Sequence, residues 1–121
     1  MRAMMRGWKW DGPILDHHMH LDSRGMGVDA ARLFESAGGT SILLVHKPNF
    51  NSLPKNKEHI RREYSKTLEM AEAVRKNTDL KVGVILGPHP VTWDRQTDEI
   101  GIERSTELHL EAVSAALDLI V

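Results

Sequence analysis

The chain reads as an α/β protein with parallel strands, because apolar runs of strand length alternate with helical patterns along its whole length. Three strands are expected, near residues 13–20, 41–46 and 80–86. Histidines fall at or just past the end of each: His18 and His20, His46, and His89. Strand, helix, strand units connect with a right hand and pair in parallel. The expected sheet therefore has strand order 1-2-3, with three helices on one side and the histidine-bearing ends along one edge. The 121 residues fit a single domain spanning 1–121, and a hydrophobic content of 40% suffices for a packed core.

The first strand is Pro13 to His20, an apolar start running into Asp16-His17-His18-Met19-His20-Leu21. Residues 29–37 follow as a short helix, with Ala30, Leu33, Phe34 and Ala37 at helical spacing and Gly38-Gly39 as the stop. Ser41-Ile42-Leu43-Leu44-Val45-His46 is continuously apolar until its last residue, the pattern of a strand buried on both faces. A loop carrying Pro48, Asn49, Asn51, Ser52 and Pro54 leads to a long helix over residues 57–77. Its apolar stripe is Ile60, Tyr64, Leu68, Ala71 and Val74. The third strand runs from Leu80 to Leu86 and stops at Gly87-Pro88-His89-Pro90. A loop rich in Asp, Gln, Thr and Gly is expected next, then a last helix over residues 103–120. That helix buries Leu108, Ala112, Ala115, Ala116 and Leu119. Trp8 and Trp10 are expected to cover the amino-terminal end of the sheet, and Trp93 to pack over the third loop.

Composition narrows the function. Sixteen Lys plus Arg against seventeen Asp plus Glu give a net charge of −1, so no global basic field holds nucleic acid through its phosphates. The chain has no cysteine. A disulfide framework and a thiolate metal site are both excluded, and any metal must be held by nitrogen and oxygen. Apolar runs such as Ile42 to Val45 are far shorter than the ~18 residues of a membrane span. The charges at Arg2, Arg6 and Lys9 lack the apolar stretch of a secretory signal. A cytoplasmic protein is expected, with no membrane partner.

The chemistry concentrates in Asp16-His17-His18-Met19-His20. Side chains alternate faces along a strand, so His18 and His20 are expected on one face, with His17 and Met19 on the other. Two imidazoles there can share one divalent cation, such as zinc or manganese. Asp16, expected on the same face, can orient a ligand histidine from behind. His89, bracketed by two prolines that fix the local backbone, is presented from a stiff turn. His46 and Lys47 are expected to contact substrate, the lysine as a point charge toward an anionic group. His59 and His109 lie inside helical patterns and are expected to be surface histidines.

At these residues the chain resembles a known family. Asp16-His17-His18-Met19-His20-Leu21-Asp22 looks like the first-strand signature of the TatD-related metal-dependent hydrolases, (β/α)8 barrels of the amidohydrolase superfamily. Gly87-Pro88-His89-Pro90 resembles the turn after their third strand, and Val45-His46-Lys47-Pro48 is similar to a second-strand exit within the same group. The first motif is shared with other amidohydrolases and PHP-type phosphoesterases. The resemblance implies hydrolysis of a phosphoester, in a small molecule or in nucleic acid such as DNA, by metal-activated water. His18 and His20 would ligate the first of two metals, and His89 would contact the substrate phosphate.

A complete barrel takes about 250 residues, so the expected fold is a partial (β/α)8 barrel of about three βα units, the amino-terminal part of a larger protein. The family's later metal ligands have no counterpart before Val121. The isolated chain is therefore expected to be inactive, no residue is assigned as the catalytic base, and its free sheet edges invite self-association. The rival expectation is a non-catalytic α/β module that binds a metal or a partner.

Overall fold

Parallel strands cannot be joined by a hairpin, and each of the three long strands here is separated from the next by a helix. The computed structural model describes residues 4–5 and 8–9 by their backbone and residues 10–120 with their side chains. The strands are β1 (Met4–Met5), β2 (Trp8–Lys9), β3 (Leu15–Met19), β4 (Ser41–Val45) and β5 (Lys81–Ile85). The helices are α1 (Val28–Ser36), α2 (Lys57–Asn77), α3 (Pro90–Ile100) and α4 (Ile102–Ile120). β1 and β2 form a short antiparallel ladder. The other three strands form one parallel sheet in the order β3-β4-β5.

The chain divides into two units. One holds the residues up to Val45 together with Thr67–Ile85; the other holds His46–Lys66 and the residues from Leu86 onward. In the first, the central strand β4 alternates cleanly, with Ile42 and Leu44 each 1% exposed. Ile42 joins Ala31 of α1, Val74 of α2 and Leu80 in one core cluster, flanked by Met19, Val28, Phe34 and Val82. Both helices of this unit thus pack on the Ile42 face of the sheet. Leu43 faces the other way, and a Cβ built at Gly83 would lie 2.7 Å from Leu43 Cδ2, so glycine is what lets these strands carry a leucine there.

Two details of α1 differ from the sequence pattern. Its buried residue is Ala31, with Val28 and Phe34 beside it, whereas Leu33 and Ala37 are exposed. The Gly38-Gly39 stop is real: Gly38 sits at φ 109, and the Gly39 N–H bonds back to the Phe34 carbonyl at 2.9 Å. α2 begins where Asn56 Oδ1 accepts the His59 N–H at 2.8 Å, a side-chain cap. Glu58 in its first turn and Arg75 and Lys76 in its last complement the helix dipole.

The second unit is helical. Ile60 and Tyr64 of α2 pack with Leu108, Ala112, Ala115 and Ala116 of α4. The expected loop after Pro90 is instead the helix α3. Hydrophobic periodicity misses it because its buried residue is polar: Gln96 is 4% exposed, and Thr97 Oγ1 lies 2.7 Å from Ser105 Oγ. The punctuation does mark it, with Pro90 at the first helical turn and Gly101 at φ 86 just past the end. Trp93 accordingly lies on a helix rather than over a loop, and its Nε1–H donates to Thr106 Oγ1 at 3.2 Å. Trp10 is half exposed and donates to the Pro13 carbonyl at the entry to β3. The Trp8 side chain lies outside the described residues.

Replacing Ile42 by alanine should lower the unfolding free energy by about 2–5 kcal/mol, the usual cost of such a truncation in a core. Leu33→Ala, at a position 58% exposed, should stay within about 0.5 kcal/mol of the parent. Urea unfolding of the two variants checks the ranking, and equal midpoints would contradict this core.

Candidate functional site

Two clusters carry the chemistry, one in each unit. In the first unit, the expected alternation of β3 is broken. Asp16 pairs with Ile42 and Met19 with Leu44, so a step of three residues on β3 matches a step of two on β4. This is a bulge. It places Asp16 and Met19 opposite the same face of β4 and leaves His17 and His18 both exposed. The expectation that Asp16 shares the face of His18 is corrected accordingly. Asp16 Oδ1 accepts the backbone N–H of His18 at 3.0 Å, so the group it orients is the bulged backbone.

The rings of His18 and His20 meet edge to face, with centroids 4.9 Å apart. His20 Nδ1 lies 2.8 Å from the carbonyl oxygen of Val45, the last residue of β4. A carbonyl only accepts, so Nδ1 carries the hydrogen and the neutral ring keeps its lone pair on Nε2. A backbone carbonyl holding the far N–H is the usual support of a metal-binding imidazole. Among the described residues, no group of three or more His, Asp or Glu gathers to hold a metal. His18 and His20 amount to two donors.

In the second unit, His89 is the amino-terminal cap of α3, with extended backbone at φ −105 and ψ 135. The Val91 N–H donates to its Nδ1 at 3.0 Å. Here the backbone donates, so the neutral ring has its hydrogen on Nε2, opposite to His20. The Phe50 ring stands 5.5 Å from His89, and the Arg95 guanidinium lies 4.9 Å from the Phe50 centroid. Gln96 Nε2 donates to the Pro54 carbonyl at 2.7 Å. The loop from His46 to Asn56 is thereby tied to α3.

Residues of this loop, α2, α3 and α4 line a pocket that opens to solvent. His46 and His89 line it, and so do Glu63, Tyr64, Thr92 and His109. The His46 ring meets Tyr64 edge to face at 4.8 Å. Tyr64 is 3% exposed, and burial pushes its hydroxyl from 10.0 up to about 12, because the phenolate would lose its hydration. Lys47 is exposed. No lysine or arginine among the described residues lines the pocket.

The structure thus brings His18 together with His20, and His46 together with His89. Sequence reasoning assigned Tyr64 to the helix stripe and His109 to the surface; both stand in the pocket wall. A stripe tyrosine and a helix histidine carry no local mark of a pocket, so pattern alone had no signal for either. His59 stays with the helix start. Its Nδ1 is 3.4 Å from the Lys55 nitrogen and its Nε2 is 3.8 Å from Glu63 Oε1.

No family model matches the chain, and no solved structure matches it. A protein of Methanocaldococcus jannaschii described as uncharacterized is 26% identical over 111 residues, covering 89% of this chain. The chain spans 37% of the length of that relative.

Because the sequence contains one tyrosine, its ultraviolet titration reads Tyr64 directly, and the phenolate should appear near about 12 instead of 10.0. The sign for stability follows. The unfolded chain ionises first, so stability holds below pH 10.0 and falls as pH rises toward about 12. A second check is nitrogen-15 NMR of the neutral imidazoles. It should show His20 protonated on Nδ1 and His89 on Nε2, and a shared tautomer would contradict the assigned backbone partners.

Proposed function

We propose that this chain forms the first three strand–helix units of a (β/α)8 metal-dependent hydrolase of the TatD type, acting on phosphoesters in the cytoplasm. The observation that carries the reading is the His20 clamp: the Val45 carbonyl takes Nδ1–H and leaves Nε2 as a lone-pair donor beside His18. The parallel β3-β4-β5 order agrees with the opening of such a barrel. Its resemblance motifs fall at the ends of these same strands. No helix among the described residues is long and apolar enough to cross a membrane.

His18 and His20 would hold a divalent cation, with zinc and manganese both suited to imidazole and oxygen ligands. Such an ion supplies a Lewis acid and lowers the pKa of bound water. Two protein donors leave a cation largely hydrated, so the remaining ligands, and the second ion of the complete enzyme, are assigned to further barrel units. His89 offers Nε2–H to a phosphoester oxygen. It does so at the amino end of α3, where the helix dipole favours negative charge. His46 stands in the pocket wall, and exposed Lys47 adds a point charge for the same anionic group. Tyr64 keeps its proton throughout the physiological range. The rival reading, a non-catalytic metal- or partner-binding module, is favoured by the two-donor count alone.

Isothermal titration with zinc or manganese should give weak uptake of one ion per chain, and uptake should fall on acidification because only neutral imidazole coordinates. The double change His18→Ala with His20→Ala should abolish uptake, while His59→Ala should leave it unchanged. The isolated chain should hydrolyse bis(p-nitrophenyl) phosphate no faster than buffer with the same metal. In a version completed by the missing units, His89→Ala should lower turnover more than metal content. Robust hydrolysis by the double alanine variant would sink the assignment.

A further inference from the structure

Arg95 stands beside the proposed phosphate contact and is uncommitted. It leaves α3 one turn beyond Val91, the residue whose N–H fixes the His89 ring. Its guanidinium carbon lies 4.9 Å from the centroid of Phe50, and the ring of Phe50 stands edge to face with that of His89 at 5.5 Å. One aromatic ring therefore joins the two groups. Partners of a single ring lie within about a Debye length of each other, roughly 8–10 Å at physiological salt, so an anion held at His89 is in the field of the guanidinium. His89 and Arg95 are both exposed, and a ligand reaches either from solvent.

The partners that Arg95 keeps are weak ones. Arg32, Arg75 and Arg104 each pair with a carboxylate three residues away on the same helix. Arg95 has Asp98 at that spacing, yet among the described residues it makes no ion pair; it reaches over Phe50 and donates one long bond, 3.4 Å, to the Phe50 carbonyl. Its other N–H groups have no partner among the described residues. A planar fork of such donors matches the oxygens of a phosphate, while the face of Phe50 holds the guanidinium without using a donor. Glu63, the carboxylate in the pocket lining, is offset by the ammonium of Lys66 at 3.4 Å.

We infer that Arg95 is a second substrate-binding residue for the phosphoester, with its guanidinium fork on the phosphate oxygens from one side and His89 Nε2–H from the other. The inference rests on the proposed hydrolase for the identity of the anion. Where exposed Lys47 offers a point charge, Arg95 fixes the orientation of the group it binds.

The test is a titration of the metal-free 121-residue chain with inorganic phosphate, read by ¹H–¹⁵N NMR at the Arg95 Nε–H and the His89 ring. Both signals should follow one saturation curve, and potassium chloride at the same ionic strength should give none. Arg95→Gln should weaken phosphate by about fivefold or more, and Arg95→Lys, which keeps the charge and loses the fork, should recover part of that loss. Phenyl phosphate bound above dimethyl phosphate would assign the site to a terminal phosphate, and the reverse order to a diester such as a nucleic-acid backbone. No saturable shift at Arg95, or unchanged phosphate affinity in Arg95→Gln, would overturn the inference. An equal loss in both variants together with a lowered melting temperature would reduce Arg95 to a tie between the loop and α3, and would overturn it too. Failure of phosphate to bind while zinc is taken up at His18 and His20 removes the role of Arg95 and leaves the hydrolase. Phosphate binding through Arg95 without zinc uptake keeps that role and removes the hydrolase.

Discussion

The parallel pairing of β4 with both neighbours is the constraint on which the first unit depends. A strand hydrogen-bonded on both sides and buried through Ile42 and Leu44 can have parallel neighbours only if each connection crosses back over the sheet. α1 and α2 lie in those two connections, and Ala31 and Val74 close the face that Ile42 opens. The same pairing sends the carboxyl ends of all three strands to one edge. That is why the carbonyl of Val45, at the end of β4, is within reach of His20, just past the end of β3. A one-residue slip in this register would turn Ile42 away from the helices and move the carbonyl that fixes the His20 ring.

The bulge in β3 changes what that edge presents. Without it, Asp16 would be placed with His18, and Met19 would turn away from the core. With it, Met19 packs beside the Ile42 cluster, and Asp16 spends its carboxylate on the backbone N–H that the extra residue leaves unpaired in the ladder. The two histidines that a regular strand would separate by a full pleat still meet ring to ring. The bulge thus combines a filled core with a polar strand end, and an Asp two residues before the second histidine of the run suits it because its side chain bonds locally.

The three parallel strands and α2 were legible in the sequence because their signals are hydrophobic and periodic: residues 42–45 are uniformly apolar, and Ile60, Tyr64, Ala71 and Val74 keep one face of α2. α3 was not legible by that route, since Gln96, Thr97 and Ser105 join it to the rest through hydrogen bonds that leave no apolar trace. Its proline start and glycine end were the available marks. The histidine positions at the strand ends could be read directly from the chain. The β3 bulge, the pocket walls contributed by Tyr64 and His109, and the loop tied down through Pro54 arise from tertiary contacts, which local pattern does not encode.

His20 and His89 show how backbone partners set the role of a side chain whose two ring nitrogens are nearly equivalent. A carbonyl faces Nδ1 of His20, so the exposed nitrogen is a lone pair and suits a cation. An amide N–H faces Nδ1 of His89, so the exposed nitrogen carries hydrogen and suits an acceptor. The first comes from a strand end, where the next strand supplies a carbonyl; the second comes from a helix start, where the first-turn amides are unspent. Exchanging the two environments would exchange the two chemistries with no change of residue type. Secondary structure therefore sets the hydrogen-bonding character of each ring at the level of a single proton. A histidine just past a parallel strand and one capping a helix thus present opposite faces of the same ring chemistry, a lone pair in one and an N–H in the other.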